Sequence, residues 1–238
     1  MLEAEKNHWW FKGRRFLIKK LLKKYLFDLS EISILDAGCG TGYLDLELKN
    51  NLGIKQVISL DVSETAVELA KSNGNNIILS SLEKIPFLNS SFESVLLLDV
   101  LEHVPNETKV LNEIERVLKN NGLLFIFVPA LNFFWSGQDQ KLGHYRRYNL
   151  KNFDKLLNNN WQVLEKGYFN FFLSLPILFF RKFNQLFKFN KNDELEVGKK
   201  FNRIFSAIFK LELKLLSLIK FPWGVSLYLV AKKNDKST

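Results

Sequence analysis

Residues 34–42 read Ile34-Leu35-Asp36-Ala37-Gly38-Cys39-Gly40-Thr41-Gly42, an apolar run that ends in an acid and then passes through three closely spaced glycines. The pattern predicts a buried strand that turns tightly into a helix. Glycines at such a turn reach unusual backbone dihedrals, and without a Cβ they let a ligand approach the main chain. Nucleotide-like cofactors bind at the carboxyl ends of parallel strands. Asp61 ends the next strand-like run, Gln56–Leu60, roughly twenty residues on, where an acid can bind ribose hydroxyls.

The spacing of these glycines separates the cofactor classes. A dinucleotide fingerprint requires Gly-x-Gly-x-x-Gly/Ala, whereas the last position here falls on Tyr43. A phosphate-binding loop requires Gly-Lys-Ser/Thr at its end, and Gly42 is followed by Tyr43-Leu44 instead. The loop therefore indicates a nucleotide-like cofactor that is neither a dinucleotide nor a nucleoside triphosphate held by a phosphate loop.

Strand-like and helical patterns alternate along residues 32–128, which predicts right-handed crossovers and an α/β fold with a parallel sheet. An amphipathic helix over residues 7–27 precedes the first strand. Beyond the alternating part, an insert, Asn170–Phe221, separates a strand at Trp161–Tyr168 from a last strand at Val225–Ala231. The other predicted elements are strands at 32–35, 56–60, 76–79, 95–98 and 123–128 and helices at 43–50, 63–72, 107–119 and 150–157, with Ser63 capping the second of these helices.

Four stretches resemble the motifs of the class I S-adenosylmethionine-dependent methyltransferases. Asp36-x-Gly-x-Gly-x-Gly resembles motif I, and Gln56–Ser63 resembles motif II. Ser80–Phe87 resembles motif III, and Phe92–Val104 resembles the small-molecule form of motif IV. The resemblance covers residues 7–168 and the last strand. It is closest to the branch that includes the ubiquinone- and menaquinone-type enzymes, with a bacterial methyltransferase type 11/12-like pattern.

This resemblance implies a fold class and a domain organisation. The implied fold is α/β, with a Rossmann-like, seven-stranded, mostly parallel sheet, helices on both faces and an antiparallel last strand preceded by a helical insert. The implied domains are an N-terminal helical cap at 1–30, a methyltransferase core at 31–168 and 222–233, and a Phe-rich basic insert at 169–221 that acts as a substrate lid.

The resemblance also implies S-adenosylmethionine as the cofactor and S-adenosylhomocysteine as the product. Asp61 would bind both ribose hydroxyls, because a carboxylate only accepts hydrogen bonds and a vicinal diol offers two donors. The turn after Asp99 would line the methionine part. Ser81 lies where relatives contact the adenine amino group, although many carry Asp there, and an ordinary turn serine is the alternative. The implied cofactor-binding residues are Trp10, Arg14, Asp36, Gly38, Cys39, Gly40, Gly42, Asp61, Val62, Ser81, Leu82, Asp99, Val100 and Leu101.

The N-terminal run Asn7–Arg15 resembles a segment that precedes the core in a bacterial subset of these enzymes. There an aromatic ring and an arginine close over the cofactor. The candidates here are one of Trp9, Trp10 and Phe11 and one of Arg14 and Arg15, with Trp10 and Arg14 preferred. An arginine can pair bidentately with the cofactor's carboxylate, and an aromatic face stabilises a sulfonium. The alternative is that the aromatic residues pack this helix on the core.

The segment Trp135–Tyr148 follows the fifth strand, where substrate-facing groups usually lie in this fold. Its Gly-His-x-Arg-Arg-Tyr string resembles the same bacterial subset. His144 can take a proton near neutral pH and is the first candidate for a general base, ahead of His103. The alternative is a buried structural network tied to Asp139. The predicted substrate-binding residues are Tyr145, Arg146, Arg147 and Tyr148.

Composition adds expectations about location and chemistry. The single cysteine, Cys39, excludes an internal disulfide, fits a reducing cytosol and is not expected to be a nucleophile in a glycine loop. No secretory pattern opens the sequence, and the longest apolar run, Phe169–Phe180, is short of the ~20 residues that span a bilayer. We therefore expect a cytoplasmic protein, with membrane association through the insert left open. The histidines and acids show no spacing typical of metal ligands, so no metal site is expected.

The net charge of +9 and the greasy, basic insert bear on the acceptor. Both indicate an anionic partner, which is a phosphate-bearing substrate, a membrane surface or RNA, unless the charges are only solvated helix faces. The leading hypothesis is O-methylation of a small hydrophobic, phosphate-bearing or lipid- or saccharide-type acceptor. An RNA methyltransferase and a non-catalytic cofactor-binding module are the alternatives; nucleic acid is not favoured because no RNA-binding appendage is recognisable. The apolar stripe of the insert is predicted at Phe201, Ile204, Ile208, Leu211, Leu215 and Leu218.

Overall fold

A seven-stranded sheet forms the centre of the protein. The computed structural model describes residues 2–157, 159–187 and 198–235. The strands are β1 (Ser33–Ala37), β2 (Gln56–Asp61), β3 (Ile77–Leu79), β4 (Phe92–Leu98), β5 (Leu118–Pro129), β6 (Trp161–Phe169) and β7 (Ser226–Lys233). The helices are α1 (Leu2–Asn7), α2 (Trp9–Tyr25), α3 (Tyr43–Leu52), α4 (Glu64–Ser72), α5 (Glu107–Val117), α6 (Gly137–Lys141), α7 (Leu150–Leu156), α8 (Ser174–Phe187) and α9 (Lys199–Leu215), with 3-10 turns at Leu101–His103 and Asn132–Phe134.

The strand order is β3-β2-β1-β4-β5-β7-β6. Strands β1 to β5 pair in parallel, and β7 lies antiparallel between β5 and β6. The predicted fold class is therefore confirmed, including the antiparallel last strand, which the structure pairs with the Trp161 strand. The chain moves from β1 outward to β3 and then returns to β4 on the other side of β1. This reversal creates a topological switch point, where ligands of open α/β sheets bind.

Alternate residues of the central strands enter two apolar layers, one on each face of the sheet. Leu35, Val95 and Ile126 lie in the layer that also contains α5 residues. Ile34 and Phe125 lie in the opposite layer, which α2 and α9 complete. Near-continuous apolar runs are expected for parallel strands covered on both faces, and β1 is buried along its whole length.

The helix predicted over residues 7–27 is present as α2 (Trp9–Tyr25), and a short helix that was not predicted, α1, precedes it after a break in the helical backbone. The break falls at His8, whose side chain caps α2 by accepting from the Trp10 backbone N–H, with N and Nδ1 3.3 Å apart. Helix α2 then packs on the sheet through Leu17, Ile18 and Leu22. The cap lets the chain change direction, so that α1 reaches the glycine loop while α2 covers the sheet.

Helix α9 buries a different face from the predicted stripe. Phe209 and Leu213 are fully buried, whereas Phe201, Leu211 and Leu218 are exposed. Phe209 meets α2 at Gly13, where a Cβ would lie 2.1 Å from the ring. The buried Glu212 carboxylate accepts from the backbone N–H groups of Phe171 and Phe172, at 3.0 and 2.9 Å. Docking on α2 therefore decides the buried face, because apolar residues occur on several sides of this helix.

Other element boundaries shift by a few residues. The helix predicted to Lys119 ends at Val117, because Leu118 pairs with Phe92 and begins β5. Ser63 caps α4 as predicted, accepting from the Ala66 N–H at 3.3 Å. Residues 188–197, in the predicted basic insert, lie outside the described residues. None of the helices in the described ranges combines the length and apolar character needed to cross a membrane.

Candidate cofactor and acceptor site

Three acids end neighbouring strands at the same edge of the sheet. Asp36 belongs to β1, Asp61 ends β2, and Asp99 directly follows β4. The loop after β1 is held against β2, because the Gly38 and Cys39 N–H groups both donate to the Leu60 carbonyl, at 2.8 and 3.1 Å. The glycine loop and the three acids thus meet at the switch point.

The glycine loop requires residues without a Cβ at two positions. Gly38, Gly40 and Gly42 all have positive φ, at 90°, 57° and 70°, which L-residues with side chains rarely adopt. A Cβ on Gly38 would lie 2.4 Å from a Val100 methyl carbon, and one on Gly42 would lie 2.2 Å from the Asn75 amide nitrogen. The loop is therefore a tight cradle in which main-chain groups line the site.

The Asp61 carboxylate connects the glycine loop to the start of α4. One oxygen accepts from the Gly40 N–H and the other from the Ser63 N–H, each at 2.9 Å. Because each carboxylate oxygen carries two lone pairs, both remain able to accept from a ribose diol. The next residue, Val62, is exposed beside it.

The predicted adenine contacts have structural roles of their own. The Ser81 hydroxyl accepts from the Glu83 N–H at 3.2 Å, as in an ordinary turn, and Leu82 is buried in the core. The adenine contact of Ser81 stays a prediction.

Arg14 lies over the switch point and pairs with Asp99. Burial lowers the pKa of Arg14, but the Asp99 carboxylate opposes this effect and raises it above the ordinary value. Burial and the nearby Asp45 carboxyl raise the pKa of Asp36 well above its usual range. Burial also raises the pKa of the Cys39 thiol, which is unfavourable for a nucleophile. Arg14 is thus positioned beside the glycine loop, and its partner there is the Asp99 side chain.

Helix α1 closes over the glycine loop. The Glu5 carboxylate accepts from the Thr41 hydroxyl, and the Glu5 carbonyl accepts from Arg15. The cavity left at the loop has a volume of only about 20 Å³, far below the ~300–1,000 Å³ of typical ligand pockets. It is lined by Glu5, Phe11, Arg14, Arg15, Asp36, Gly38, Cys39, Leu44 and Leu98.

The aromatic residue at this cavity is Phe11 rather than Trp10. Trp10 stacks on Phe169 and Phe209, with centroids 5.8 and 5.7 Å apart and nearly parallel rings. In the structure Trp10 therefore packs α2 on the core, which was the alternative considered for this run. Sequence reasoning missed Glu5 at this cavity, and it considered Phe11 but preferred Trp10. Glu5 and Thr41 are 36 residues apart in the sequence, and no local pattern predicts a contact between them.

The loop after β5 is built around the buried Asp139. Its carboxylate faces His144 Nδ1 at 3.0 Å and accepts from Arg147 Nε at 2.7 Å. Burial raises the pKa of Asp139, but the hydrogen bonds from His144 and Arg147 outweigh this and hold the pKa well below its usual range. Arg147 also donates to the Ala130 carbonyl at 3.0 Å. Arg147 thus belongs to a buried structural network. Because Nδ1 of the His144 ring faces Asp139, Nε2 is the ring nitrogen left for other contacts.

A second, larger cavity of about 660 Å³ opens beside this loop. Arg146 pairs with Glu107 at 2.5 Å at its wall, and the Tyr148 hydroxyl donates to the same carboxylate at 2.6 Å. Tyr145 is exposed. Aromatic and cationic side chains therefore share one concave surface. Its lining comprises Glu107, Asn132, Trp135, Tyr145, Arg146, Arg147, Tyr148, Asn152, Lys155 and Leu156.

The 3-10 turn after β4 adds Glu102 and His103 to this edge. The His103 and His144 rings lie 4.6 Å apart and nearly perpendicular. Burial and the neighbouring His144 lower the pKa of His103. Burial and Asp99 raise the pKa of Glu102 well above its usual range. Val100 and Leu101 connect this turn to Asp99, and Leu101 is buried.

Comparison with known proteins identifies the domain. Residues 35–126 match the family described as a methyltransferase domain. A probable S-adenosylmethionine-dependent methyltransferase of Mycobacterium tuberculosis is 28% identical over 156 residues, which are 63% of this chain and 54% of that protein. The demethylmenaquinone methyltransferase of Lactococcus lactis is 36% identical over 107 residues, 42% of each chain. The chain thus spans about half the length of the curated relatives it matches.

A solved structure supports the fold assignment. The S-adenosylmethionine-dependent methyltransferase of Archaeoglobus fulgidus superimposes with a TM-score of 0.60 at 20% identity, and the match covers 98% of both chains. The glycine cradle and the acids at the strand ends fit an adenosyl cofactor, because donors, acceptors and open main chain lie where this fold binds nucleotides. The family match over residues 35–126, the relatives and the fold together support a class I S-adenosylmethionine-dependent methyltransferase.

Proposed function

We propose that this protein transfers a methyl group from S-adenosylmethionine to a hydroxyl oxygen of a small acceptor that carries an aromatic or other apolar body and an anionic group. One observation carries the proposal: the glycine cradle with Asp36, Asp61 and Asp99 lies at the switch point, and a cavity of about 660 Å³ lies next to the loop that holds His144.

The cofactor would be held by groups already in place. Asp61 would accept from the ribose hydroxyls, while the Gly38–Gly42 main chain would line the amino-acid part. Arg14 would exchange part of its pairing with Asp99 for the cofactor's carboxylate, a geometry that a guanidinium matches well. The cofactor supplies a methyl group already activated on a sulfonium, so positioning is the main contribution required of the protein.

The acceptor would lie in the larger cavity. Tyr145, Trp135 and Tyr148 offer aromatic surface, and Arg146 and Lys155 offer positive charge. Arg146 is the better candidate for contacting an anion, because Arg147 is committed to Asp139 and Ala130. This pairing favours an acceptor with a phosphate or carboxylate on an apolar frame.

His144 is proposed as the general base. Its Nδ1 faces the Asp139 carboxylate at 3.0 Å, which fixes the tautomer with hydrogen on Nδ1. Nε2 is then free to take the acceptor's proton as the oxygen attacks, and such a base contributes typically 10²–10⁴-fold. Asp139 acts as a positioning residue.

The exposed side of the insert is proposed to meet an anionic membrane surface or a lipid-linked acceptor. Phe201 and Leu211 point outward from α9, and Lys200, Arg203, Lys210 and Lys214 are exposed on the same helix. Apolar and basic groups together favour an anionic interface.

The test is methyl incorporation by the full chain. Purified protein and methyl-labelled S-adenosylmethionine are incubated with small-molecule, lipid and RNA fractions of a lysate. We expect label in the small-molecule or lipid fraction. His144→Ala should slow incorporation while S-adenosylhomocysteine binding, measured by calorimetry, stays within about twofold. His8→Ser, which retains a helix-capping side chain, is the matched histidine control. Label confined to RNA, or none at all, would contradict the proposal.

A further inference from the structure

Three metal-binding side chains converge at the carboxyl edge of the sheet. Glu102 and His103 come from the 3-10 turn after β4, and His144 comes from the loop after β5. One donor atom of each lies within 4.8 Å of the donor atoms of the other two. The backbone N–H of Tyr145 donates to the Glu102 carbonyl at 2.8 Å, which ties the two segments together. The grouping therefore depends on main-chain contacts as well as on flexible side chains.

Both imidazole rings lie beside a second group. Asp139 faces His144 Nδ1 at 3.0 Å, and the Leu142 backbone lies close to the His103 ring. Each neutral ring retains one nitrogen with a lone pair. Metal-binding histidines in proteins are typically held in this way by a carboxylate or a carbonyl on the other nitrogen.

Glu102 adds an independent observation that points to a ligand. Its side chain is almost fully buried, at 1% exposure, and its Oε2 finds no hydrogen-bond partner among the residues that the structure describes. A buried polar atom without a partner is destabilising by about 1–3 kcal/mol. The exposed His103 beside it gives an ion a route to this carboxylate from solvent.

We infer that Glu102, His103 and His144 bind one divalent transition-metal ion, with Zn²⁺ as the expected ion. Two imidazoles and one carboxylate form a donor set suited to zinc and iron rather than to magnesium, which prefers oxygen alone. Ligand atoms about 2.1 Å from one ion lie at most about 4.2 Å apart. A small rotation of the exposed His103 ring would therefore bring all three donor atoms within reach of one ion. Three protein ligands leave a position open for a water or a substrate oxygen.

A catalytic use of this ion rests on the proposed function. The acceptor's hydroxyl oxygen would occupy the open position and release its proton to water. The oxygen would then form a bond to the methyl carbon as the carbon–sulfur bond breaks, so that an ether, a thioether and a proton are the products. With the ion bound, His144 Nε2 would be a ligand, and the ion would replace the general base by lowering the pKa of the acceptor hydroxyl, whose proton passes to solvent water.

The binding test uses Co²⁺, whose visible d–d absorption reports its ligands, and it does not require activity. The full chain, freed of metal with a chelator, is titrated with Co²⁺. We expect a band that saturates at one ion per chain and is displaced by Zn²⁺. Glu102→Gln, which is isosteric, and His103→Ala, at an exposed position, should each weaken binding by about tenfold or more, since even the loss of a group that only orients a ligand costs 10–100-fold. The remaining histidine of the three in the chain, His8, provides the control His8→Ser, which should keep the band.

Each outcome has one meaning. Absence of the band, or a band that survives both His103→Ala and His144→Ala, overturns the inference, as does its loss in His8→Ser. Methyl transfer that continues unchanged in chelator overturns the catalytic use of the ion and leaves the proposed function standing. A saturating band with no methyl transfer to any lysate fraction leaves the metal site standing and contradicts the proposed function.

Discussion

The Glu5 carboxylate accepts a hydrogen bond from the Thr41 hydroxyl, and this contact holds α1 across the glycine loop. Glu5 therefore lies where the methionine part of the cofactor is expected, and the cavity beneath it measures about 20 Å³. We therefore expect α1 to move away when the cofactor enters, because a cavity of this volume is too small for an adenosyl group. The free energy of that movement is subtracted from the intrinsic binding free energy, as for any ligand that binds a minor conformer.

Glu5→Ala is expected to tighten S-adenosylhomocysteine binding. The variant loses the hydrogen bond that keeps α1 closed and a negative charge near the cofactor's carboxylate. One charge-assisted hydrogen bond contributes about 1.5–3 kcal/mol at most, so a gain of several-fold in Kd is expected by calorimetry. Glu3→Ala changes an exposed acid on the same helix and should leave Kd unchanged. Weaker binding in Glu5→Ala would mean that Glu5 supports the bound state.

Asp61→Ala is expected to weaken S-adenosylhomocysteine binding strongly. The carboxylate is the predicted acceptor for both ribose hydroxyls, and it also braces the loop through Gly40 and Ser63. Each lost charge-assisted bond costs about 1.5–3 kcal/mol, which is more than tenfold in Kd. Glu64→Ala removes an exposed acid three residues away and should bind normally. An affinity unchanged in Asp61→Ala would remove Asp61 from the cofactor site.

Gly13→Ala is expected to destabilise the fold although it lies outside the cofactor site. The new Cβ would lie 2.1 Å from the Phe209 ring, which is fully buried between α2 and α9. Overpacking of this kind costs about 1–3 kcal/mol and should exceed the helix-propensity gain of about 1 kcal/mol. Thermal unfolding should show a lower Tm, and adding Phe209→Leu should restore part of it. Gly137→Ala, where a Cβ meets nothing within 4 Å, should keep the wild-type Tm.

The Glu93 carboxylate supplies a pH-dependent contribution to stability. Burial raises its pKa, but hydrogen bonds from Lys119 and Ser33 outweigh this and lower the pKa to about 2 from an ordinary 4.5. Because the folded-state pKa is depressed, the stabilisation is fully present above pH 4.5 and is lost as the pH falls through 2. Glu93→Gln should therefore lower the Tm at pH 7, and the gap to wild type should narrow between pH 4.5 and 2.

A matched change tests whether that effect is local. Glu31 forms an exposed pair with Lys55, and such surface pairs contribute little. Glu31→Gln should therefore show almost no gap at any pH. A gap in Glu93→Gln that stays constant down to pH 2 would contradict the assignment to this carboxylate.

The cofactor edge could be predicted because its signals are local. A strand that ends in an acid and then turns through glycines identifies Asp36 and the loop, and the same reasoning places Asp61 and Asp99 at the ends of their strands. Parallel pairing then brings the three strand ends to one edge without further information. The family match supports this part of the sequence interpretation.

Contacts between distant segments could not be predicted in this way. Arg146 and Arg147 are adjacent and chemically identical, yet one reaches Glu107 and the other is buried against Asp139. Apolar residues on several sides of α9 allow more than one stripe, and the fit of Phe209 over Gly13 selects among them. Both outcomes depend on packing partners that lie far away in the sequence.

The exposed apolar residues of α9 are expected to support binding to anionic membranes. Leu218, just after the helix, is 81% exposed and Phe201 is 60% exposed, and Lys210 and Lys214 are exposed near them along the chain. Phe201→Ser with Leu218→Ser should reduce cosedimentation with phosphatidylserine vesicles, because apolar insertion is lost while the charge is kept. High salt should weaken the wild-type interaction by screening the lysines. Phe133→Ser, at an exposed aromatic position outside the insert, is the control. Equal sedimentation of wild type and the double variant would show that neither Phe201 nor Leu218 contributes to membrane binding.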